Sequence, residues 1–193
     1  MTDASDHELI DQTLAGDTAA FDCLVRRYQD RLVHSLEHAL GSREDALEAA
    51  QQAFVSAWKS LSGFRRDSAF YSWLYRIAIN AARTSHRRRT VDTSSLDRLR
   101  DAGHSAEDPD PTVNPEHALN SAERSRLIRN ALQEIAEEFR VPLILREMDG
   151  LSYDQIAETL EIPVGTVRSR IFRAREFVDQ RIRPLLDNTD ESN

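Results

Sequence analysis

Residues 150–175, GLSYDQIAETLEIPVGTVRSRIFRAR, have the layout of two short helices joined by a tight turn. Ser152 can cap a first helix, because its hydroxyl can accept a hydrogen bond from an unpaired backbone N–H of the first turn. Pro163 blocks the continuation of that helix. A turn is therefore expected at residues 161–165, with a second helix that begins at Thr166 or its neighbours. Two helices joined by so short a turn predict a helix-turn-helix.

The second helix has an apolar face and a basic face. The apolar positions recur at helical spacing and predict a buried stripe: Val167, Ile171, Ala174 and Val178. The side chains left outward are suited to base edges in a DNA major groove: Arg168, Ser169, Phe172, Arg173 and Arg175. The alternative is a solvated basic helix in an ordinary bundle, but such a face would not select a large apolar side chain such as Phe172. The residues therefore favour a helix that reads DNA.

The composition limits the class of protein. The chain has 193 residues, of which 40% are hydrophobic and 30% charged, and its single cysteine is Cys23. One cysteine excludes an intrachain disulfide and a cysteine-rich zinc site, and we expect it to pack between Phe21 and Leu24. No apolar run approaches the about 20 residues of a membrane span, and the N-terminus is acidic and polar. A soluble, cytoplasmic protein with one domain or two small ones is expected.

The net charge of −8 argues by itself against nucleic acid as a partner, but the charge is unevenly distributed. Residues 64–89 hold seven basic side chains and one acidic one, and residues 164–184 hold six basic and two acidic ones. Lys59 is the only lysine, and the other 24 basic residues are arginines, which suit phosphates and guanine edges. A codon bias would explain the excess of arginine but not its clustering. The two basic segments therefore predict two contacts with nucleic acid.

Helical periodicity runs along most of the chain and predicts an all-α fold. Breaks between helices are expected at Gly16-Asp17, Gly41-Ser42 and Ser62-Gly63, with a further helix from about Ser68. The helix after Ser42 is expected to carry one apolar stripe: Ala46, Leu47, Ala50, Phe54, Ala57, Trp58 and Leu61. Residues 90–120 are rich in proline and acidic side chains and read as a flexible acidic linker. Two small helical domains, residues 1–89 and 121–187, are predicted on either side of it, with a tail over 188–193.

Aromatic residues are concentrated in the first basic segment. Five of the 13 in the chain lie within twelve residues: Phe64, Phe70, Tyr71, Trp73 and Tyr75. Aromatic faces stack on unpaired bases while arginines follow the backbone. The alternative, which we expect to hold for at least half of these rings, is a packed helix with an inward stripe of Phe70, Trp73, Leu74 and Ile77. Asn80 is a candidate base reader. Beside a helix-turn-helix, the pattern indicates contact with duplex DNA at one place and with an opened strand at another.

Three stretches resemble the group 4, or extracytoplasmic function, sigma factors, and among these the envelope-stress sigma-E factors: GDTAAFDCLVRRYQDRL, FRRDSAFYSWLYRIAIN and REMDGLSYDQIAETLEIPVGTVRSRIFRARE. The resemblance implies a non-catalytic subunit of bacterial RNA polymerase that needs no metal or cofactor. Region 2, residues 1–89, would bind the clamp helices of the β′ subunit and would melt and read the −10 element of the promoter. Region 4, residues 121–187, would read the −35 element. An anti-sigma factor anchored in the inner membrane and an envelope or other extracytoplasmic stress regulon are further expectations.

The resemblance also assigns roles to residues. It places polymerase binding at Glu48, Gln51, Gln52, Phe54 and Trp58. It places recognition of the −10 element at Phe64, Arg65, Arg66, Asp67, Ser68, Arg76, Asn80 and Arg83, and of the −35 element at the outward residues of the second helix. Four positions depart from the family pattern, among them Thr84 and His86 at the end of the helix that carries Asn80. Gln52 stands where an acid is usual, and Arg66 replaces a glycine of the loop.

Parts of the sequence also match two other classes of protein. Residues 34–38 spell H-x-x-E-H, a pattern of metallopeptidases that places His34 and His38 one helical turn apart. A zinc site would need a third ligand, and Leu32 and Leu36 continue a core stripe, so these histidines are expected to flank the core. A repressor or two-component effector with the same helix pair would leave the aromatic segment and EAAQQAF, at residue 48 onward, unexplained.

Overall fold

The structure, a computed structural model, describes residues 4–92 and 128–190. The helices are α1 (Asp6–Leu14), α2 (Thr18–Leu40), α3 (Arg43–Ser60), α4 (Phe70–Asp92), α5 (residues 128–134), α6 (Glu137–Glu147), α7 (Tyr153–Leu160) and α8 (Val164–Asp190). A 3-10 turn, Leu61–Gly63, lies between α3 and α4. These described ranges contain helices and turns but no strand, which confirms the all-α prediction. The predicted linker lies outside the described residues except for 90–92, which belong to α4, and α8 includes residues 188–190 of the predicted tail.

The predicted breaks between the first helices are confirmed. Asp17 caps α2, where its carboxylate accepts a hydrogen bond of 3.0 Å from the Ala19 N–H. Gly41 ends α2 at φ 77°, a left-handed conformation that glycine adopts without the penalty of a Cβ. Ser42 then caps α3 through a bond of 3.2 Å from the Asp45 N–H. Side-chain and backbone chemistry at each junction thus fixes where the chain turns.

Helices α1 to α4 form the first bundle. Its most deeply buried large side chains include Leu24, Leu32 and Leu36 of α2 and Leu74 of α4. Helix α3 buries small residues against its neighbours: Ala46, Ala49, Ala50, Ala53 and Ala57. The prediction for Cys23 is wrong, because this side chain is exposed. Successive helical positions differ by about 100°, so Phe21 and Leu24 can face inward while Asp22 and Cys23 between them face solvent.

Helices α5 to α8 form the second bundle, and its last two helices confirm the helix-turn-helix. Ser152 and Gln155 make a reciprocal capping box at the start of α7. Glu161 ends α7 in the left-handed region at φ 55°. The second helix begins at Val164, two residues earlier than expected, and the Pro163 carbonyl oxygen accepts hydrogen bonds from the N–H groups of Thr166 at 2.9 Å and Val167 at 3.1 Å. The predicted stripe is confirmed, with Val167, Ile171 and Ala174 buried and Val178 partly buried.

The two bundles pack against each other. Helix α2 lies against α6, and α4 lies against α7. The buried apolar residues of both bundles form one continuous cluster. Gln133 of α5 also crosses the boundary, since its Nε2 donates to the His38 carbonyl oxygen at 3.1 Å. The arrangement places α4, with the first basic segment, next to α7 of the helix-turn-helix.

Candidate nucleic-acid interface and protein-binding face

The outward face of α8 presents four of the predicted DNA-contacting side chains together. Arg168, Ser169, Phe172 and Arg173 are all exposed and recur at spacings that place them on one side of the helix. Phe172 is 62% exposed, whereas the adjacent Ile171 is 1% exposed and anchors the helix in the core. An exposed ring between arginines is suited to apolar contact with a thymine methyl, next to donors for guanine or phosphate.

Arg175 differs from these four because it is already paired. Its Nη2 lies 2.5 Å and its Nε 3.0 Å from Oε1 of Glu147 in α6, and this bond raises the pKa of Arg175. Tyr153, which the sequence did not single out, lies near two cations: the guanidinium carbon of Arg146 is 5.1 Å from its ring centroid and that of Arg168 is 6.0 Å. Tyr153 thus supports the base of the recognition face. In the sequence, Tyr153 directly follows the helix cap Ser152, and that position does not indicate a role at the recognition face.

The loop over residues 64–68 is built on aromatic packing. Phe64 is 9% exposed, and its ring centroid lies 4.8 Å from that of Trp73 and 5.9 Å from that of Phe70. This burial contradicts a direct contact of Phe64 with DNA in this arrangement, because the ring completes the core beneath the loop. Arg65 and Asp67 extend outward and form an exposed ion pair of 3.2 Å. Phe64 is therefore a support for the loop, and its neighbours form the loop's polar surface.

Arg66 adopts a backbone conformation that glycine favours. Its φ is 60°, in the left-handed region, at the position where the resembling family usually has glycine. The Arg66 guanidinium is paired with the carboxylate of Asp11 in α1, and this hydrogen bond holds the pKa of Asp11 below its usual value. The backbone of the loop therefore keeps the left-handed conformation that a glycine would adopt at this position, and Arg66 adds a long cationic side chain to the surface of the loop.

Helix α4 continues the basic surface beyond the loop. Arg76, Asn80 and Arg83 are spaced by four and three residues and lie on one side of the helix, with Asn80 and Arg83 exposed. Both arginines are bonded to acids of the second bundle: Arg76 Nη1 lies 3.1 Å from Glu161 Oε1, and Arg83 Nε lies 2.8 Å from Glu137 Oε1.

Most of the aromatic residues in the first basic segment belong to the core. Phe70, Tyr71 and Tyr75 are at most 4% exposed, and Trp73 is partly buried. Burial raises the pKa of both tyrosines well above their usual value. The structure therefore favours the packed-helix alternative for these rings over base stacking. The arginines and Asn80, and not the tyrosines, form the surface that faces outward.

The outer face of α3 carries exposed apolar side chains. Leu47, Val55 and Trp58 are between 42% and 49% exposed. The predicted apolar stripe of α3 is therefore divided: its alanines are buried against neighbouring helices, whereas Leu47 and Trp58 are exposed. A groove of about 380 Å³ separates α3 from α2 beside Trp58, whose ring lies edge-on to Phe21 at 5.0 Å. This is an apolar surface suited to another protein.

Polar residues border this apolar surface. Gln51 is exposed, and Gln52 donates from Nε2 to Glu48 Oε1 at 3.0 Å. Phe54 is partly buried and lines the groove. The five residues assigned to polymerase binding thus lie on one helix but on two sides of it: Phe54 and Trp58 line the groove beside α2, whereas Glu48 and Gln52 line a groove beside α4.

The metallopeptidase alternative gains no support. The rings of His34 and His38 are 4.8 Å apart, while Leu32 and Leu36 are fully buried beside them. Among the described residues, no group of three or more potential ligands is arranged to hold a metal ion. Within the same ranges, no helix combines the length and apolar character needed to cross a membrane.

The fold and its faces are those of a helical DNA-binding protein, and the comparisons with known proteins give its family. Residues 24–91 match the Sigma-70 region 2 model and residues 125–178 the Sigma-70 region 4 model. The RNA polymerase sigma-H factor of Pseudomonas aeruginosa is 40% identical, with 96% of this chain and 98% of that protein covered. The ECF RNA polymerase sigma-E factor of Escherichia coli is 39% identical, with 94% and 96% covered.

Two solved structures have similar folds. The sigma factor RpoE of Bartonella quintana, in complex with the anti-sigma factor NepR, has a TM-score of 0.70 at 20% identity, with 84% of this chain and 96% of that chain covered. CnrH, in complex with the cytosolic domain of CnrY, has a TM-score of 0.64 at 26% identity, with 95% and 97% covered. The chain belongs to the extracytoplasmic function sigma factors. It is a non-enzymatic subunit that directs RNA polymerase to specific promoters.

Proposed function

We propose that three faces of this sigma factor divide its work. The outer face of α3 binds the clamp helices of the β′ subunit, the loop 64–68 together with α4 melts and reads the −10 element, and the outward face of α8 reads the −35 element. The observation that carries the proposal is Phe172, an apolar ring that is 62% exposed among exposed arginines on the second helix of a helix-turn-helix. Contact with DNA gives this ring a partner that the fold does not supply.

The −35 contacts follow from the geometry of α8. Arg168 and Arg173 are exposed and free to extend toward bases or phosphates, with Ser169 beside them as a hydrogen-bonding group. Arg175 contributes only when its bond to Glu147 is exchanged for a bond to DNA. We therefore assign specificity to the first four residues and an accessory phosphate contact to Arg175.

The −10 contacts combine a loop and a helix. Arg65, Arg66, Asp67 and Ser68 line a cleft of about 490 Å³ that also includes Arg76 of α4. A cleft of this kind can receive a base that has left the stack, while the arginines neutralise the backbone beside it. Asn80 and Arg83 extend the same surface along α4. Phe64 does not contact DNA in this proposal; its buried ring packs beneath the loop and supports it.

The polymerase contact rests on Trp58 and its neighbours. Aromatic residues surrounded by polar groups are typical of the energetic centre of a protein interface. Trp58 is 42% exposed; on the same side of α3, Val55 lies about one turn away and Leu47 about three turns away, and Gln51, Gln52 and Glu48 add polar groups to the same helix. Gln52 stands where the family usually has an acid. The polar residues of α3 near Trp58 therefore carry one negative charge fewer, but they keep a hydrogen-bonding group at this position.

Regulation by an anti-sigma factor is part of the proposal. CnrH, similar in fold and 26% identical, was solved with the cytosolic domain of CnrY. A partner that has a cytosolic domain fits an anti-sigma factor anchored in the inner membrane, with this chain held in the cytoplasm until release. The similarity to sigma-E factors supports an envelope or other extracytoplasmic stress regulon.

In vitro transcription with core RNA polymerase tests the division of work. A template library randomised over the upstream and start-proximal promoter elements is transcribed, and the start sites are sequenced. We expect selected sequences in both elements. Phe172→Ala should relax the preference at one or two upstream positions and leave the −10 preference intact, whereas Phe177→Ala, a partly exposed phenylalanine elsewhere on α8, should change neither. Equal loss of both preferences with Phe172→Ala contradicts the assignment.

A further inference from the structure

The loop 64–68, which carries the proposed −10 contacts, is held by the first bundle at its two ends. At the start of the loop the Phe64 ring is buried, and the Phe64 N–H donates to the Leu61 carbonyl oxygen at 3.1 Å. At the end of the loop, α4 begins two residues after Ser68. The residues between these ends are polar, and the way they are held sets the shape of the surface that the loop offers to DNA.

Arg66 is a charged residue of the loop that lies against the bundle. Its side chain is 31% exposed, whereas those of Arg65 and Asp67 are 85% and 72% exposed. The Arg66 guanidinium meets the carboxylate of Asp11 in α1 with two nitrogens: Nη2 donates to Oδ1, and Nη1 lies 3.4 Å from Oδ2. A guanidinium that faces a carboxylate with two nitrogens fixes the orientation of the pair as well as its distance.

Asp11 lies on a helix that is firmly packed. The two residues before it, Leu9 and Ile10, are 4% and 1% exposed and anchor α1 in the core. At the start of α1, Asp6 is paired with Arg27 of α2 at 2.5 Å. The Asp11 carboxylate is therefore a fixed point of the first bundle, and its bond to Arg66 holds the middle of the loop as well as its ends.

The ion pair lies beside the proposed base cleft and not within it. Arg66 lines the cleft of about 490 Å³, but Asp11 is not one of its lining residues. Arg66 thus connects the wall of the cleft to α1. A loop that is already held in its binding arrangement loses less conformational freedom when it captures a base, so the bond favours binding although it does not touch the base.

We propose that Asp11 is a positioning residue for recognition of the −10 element. By holding Arg66 against α1, it keeps the loop 64–68 in the arrangement that receives a base, and Arg65 and Arg76 are left as the cations for the DNA backbone. This inference rests on the proposed −10 role of the loop and adds a residue of α1 to it. It also gives a function to the arginine that replaces the glycine usual in the family: glycine allows the same backbone conformation but cannot make this connection.

A double-mutant cycle in holoenzyme tests the pair. The rate of promoter opening is followed with a fluorescent base in the −10 element. Asp11→Ala should slow opening about twofold to fivefold, the range in which one exposed ion pair acts. The control Asp30→Ala removes an exposed acid from α2 and should leave the rate unchanged. Arg66→Gly should slow opening to the same extent as Asp11→Ala, and adding Asp11→Ala to it should have no further effect.

Exchange of the two charges separates positioning from a change in net charge. Asp11→Arg should slow opening more than Asp11→Ala does. The addition of Arg66→Asp should restore most of the wild-type rate, because aspartate is one of the residues that tolerate a φ near 60°. An exchanged pair no faster than Asp11→Arg alone overturns the inference.

Three results of the cycle also overturn it. Faster opening with Asp11→Ala would mean that Asp11 withholds Arg66 from a DNA phosphate and does not position the loop. A rate equal to that of Asp30→Ala would mean that the pair has no role in opening. A slowing by Asp11→Ala that persists in the Arg66→Gly background would mean that Asp11 acts through another residue.

Hydrogen exchange and a second variant separate this inference from the proposed function. In the free, full-length chain the amides of residues 65–68 should exchange faster in Asp11→Ala than in Asp30→Ala, at equal thermal stability, and equal exchange overturns the inference. The double variant Asp67→Ala and Ser68→Ala should change the −10 preference in the template library. If it does not, the proposed −10 role of the loop fails. If it does while Asp11→Ala opens the promoter at the wild-type rate, only the positioning role of Asp11 fails.

Discussion

Arg66 of the loop is bonded to Asp11 of α1, across 55 residues of sequence, while its own backbone lies at φ 60°. The ion pair and the backbone act in opposite directions. A left-handed conformation costs a residue with a Cβ about 1 kcal/mol, whereas an exposed ion pair contributes between about 0 and 1 kcal/mol. The loop therefore has little net preference for arginine over glycine at this position as far as stability is concerned.

Arg66→Gly should change the free energy of unfolding by less than about 0.5 kcal/mol, because relief of the backbone offsets the lost ion pair and the greater freedom of the unfolded chain. Arg66→Val should cost about 1–2 kcal/mol, since a β-branched residue is poorly tolerated at positive φ. Urea denaturation followed by circular dichroism measures both. If the glycine variant is as destabilised as the valine variant, the strain at this position is not the controlling factor.

Arg173→Ala should weaken discrimination at the −35 element by about 1–3 kcal/mol, because a base contact is lost from the exposed face of α8. Transcription from a promoter without a strong −35 element should be little affected. Arg181→Ala is the control: it removes the same charge from the same helix, at a residue paired with Glu134 at 2.7 Å. Equal losses on the two promoters, or equal effects of the two substitutions, would place the reading function elsewhere.

Asn80→Ala should impair opening of the promoter more than binding of duplex DNA, because Asn80 is exposed on the α4 surface that faces the opened strand in the proposal. Permanganate reactivity of thymines in the −10 element should fall, while retention of closed complexes changes little. Gln29→Ala, an exposed amide on α2, provides the comparison. Wild-type permanganate reactivity in the Asn80 variant is the result that removes this residue from the site.

Trp58→Ala should weaken the affinity for core polymerase about tenfold to a hundredfold, as truncation of a central aromatic residue does in protein interfaces. Competition for core enzyme, monitored by fluorescence anisotropy, gives the affinity. Leu14→Ala removes a similarly exposed apolar side chain from α1 and should leave binding unchanged. The Trp58 ring also packs on Phe21, so a thermal melt must show that the variant is folded. A folded Trp58 variant with wild-type affinity assigns the contact to another face.

The sequence predicted local features well, because they are set by neighbouring residues. The break at Gly41 and Ser42 follows from a glycine that accepts positive φ and a hydroxyl that caps the next helix. The same holds for Ser152 at the start of the helix-turn-helix. The outward positions of Arg168 and Phe172 followed from the period of one helix whose buried stripe was unambiguous.

The features that the sequence did not reveal depend on residues far apart in the chain. Periodicity shows which face of a helix is apolar but not whether another helix covers it, so the apolar stripe of α3 did not show that Leu47 and Trp58 are exposed while its alanines are buried. An aromatic residue among arginines was equally compatible with DNA contact and with packing, and Phe64 proved to be packed. Asp149 meets Ser35 and Tyr71 across 114 and 78 residues, and no local pattern indicates that meeting.

The inner face of α3 is made of alanines, and Ala53 and Ala57 are fully buried. Because cores are close-packed, an added methyl group there cannot be absorbed in place. A change such as Ala53→Val would instead displace the whole helix outward and carry Trp58 and its neighbours with it. The size of the side chains beneath α3 therefore sets the position of its outer face. Substitutions among these buried residues can change the affinity with which this subunit competes for a shared pool of core enzyme, although the substituted residues never touch the enzyme.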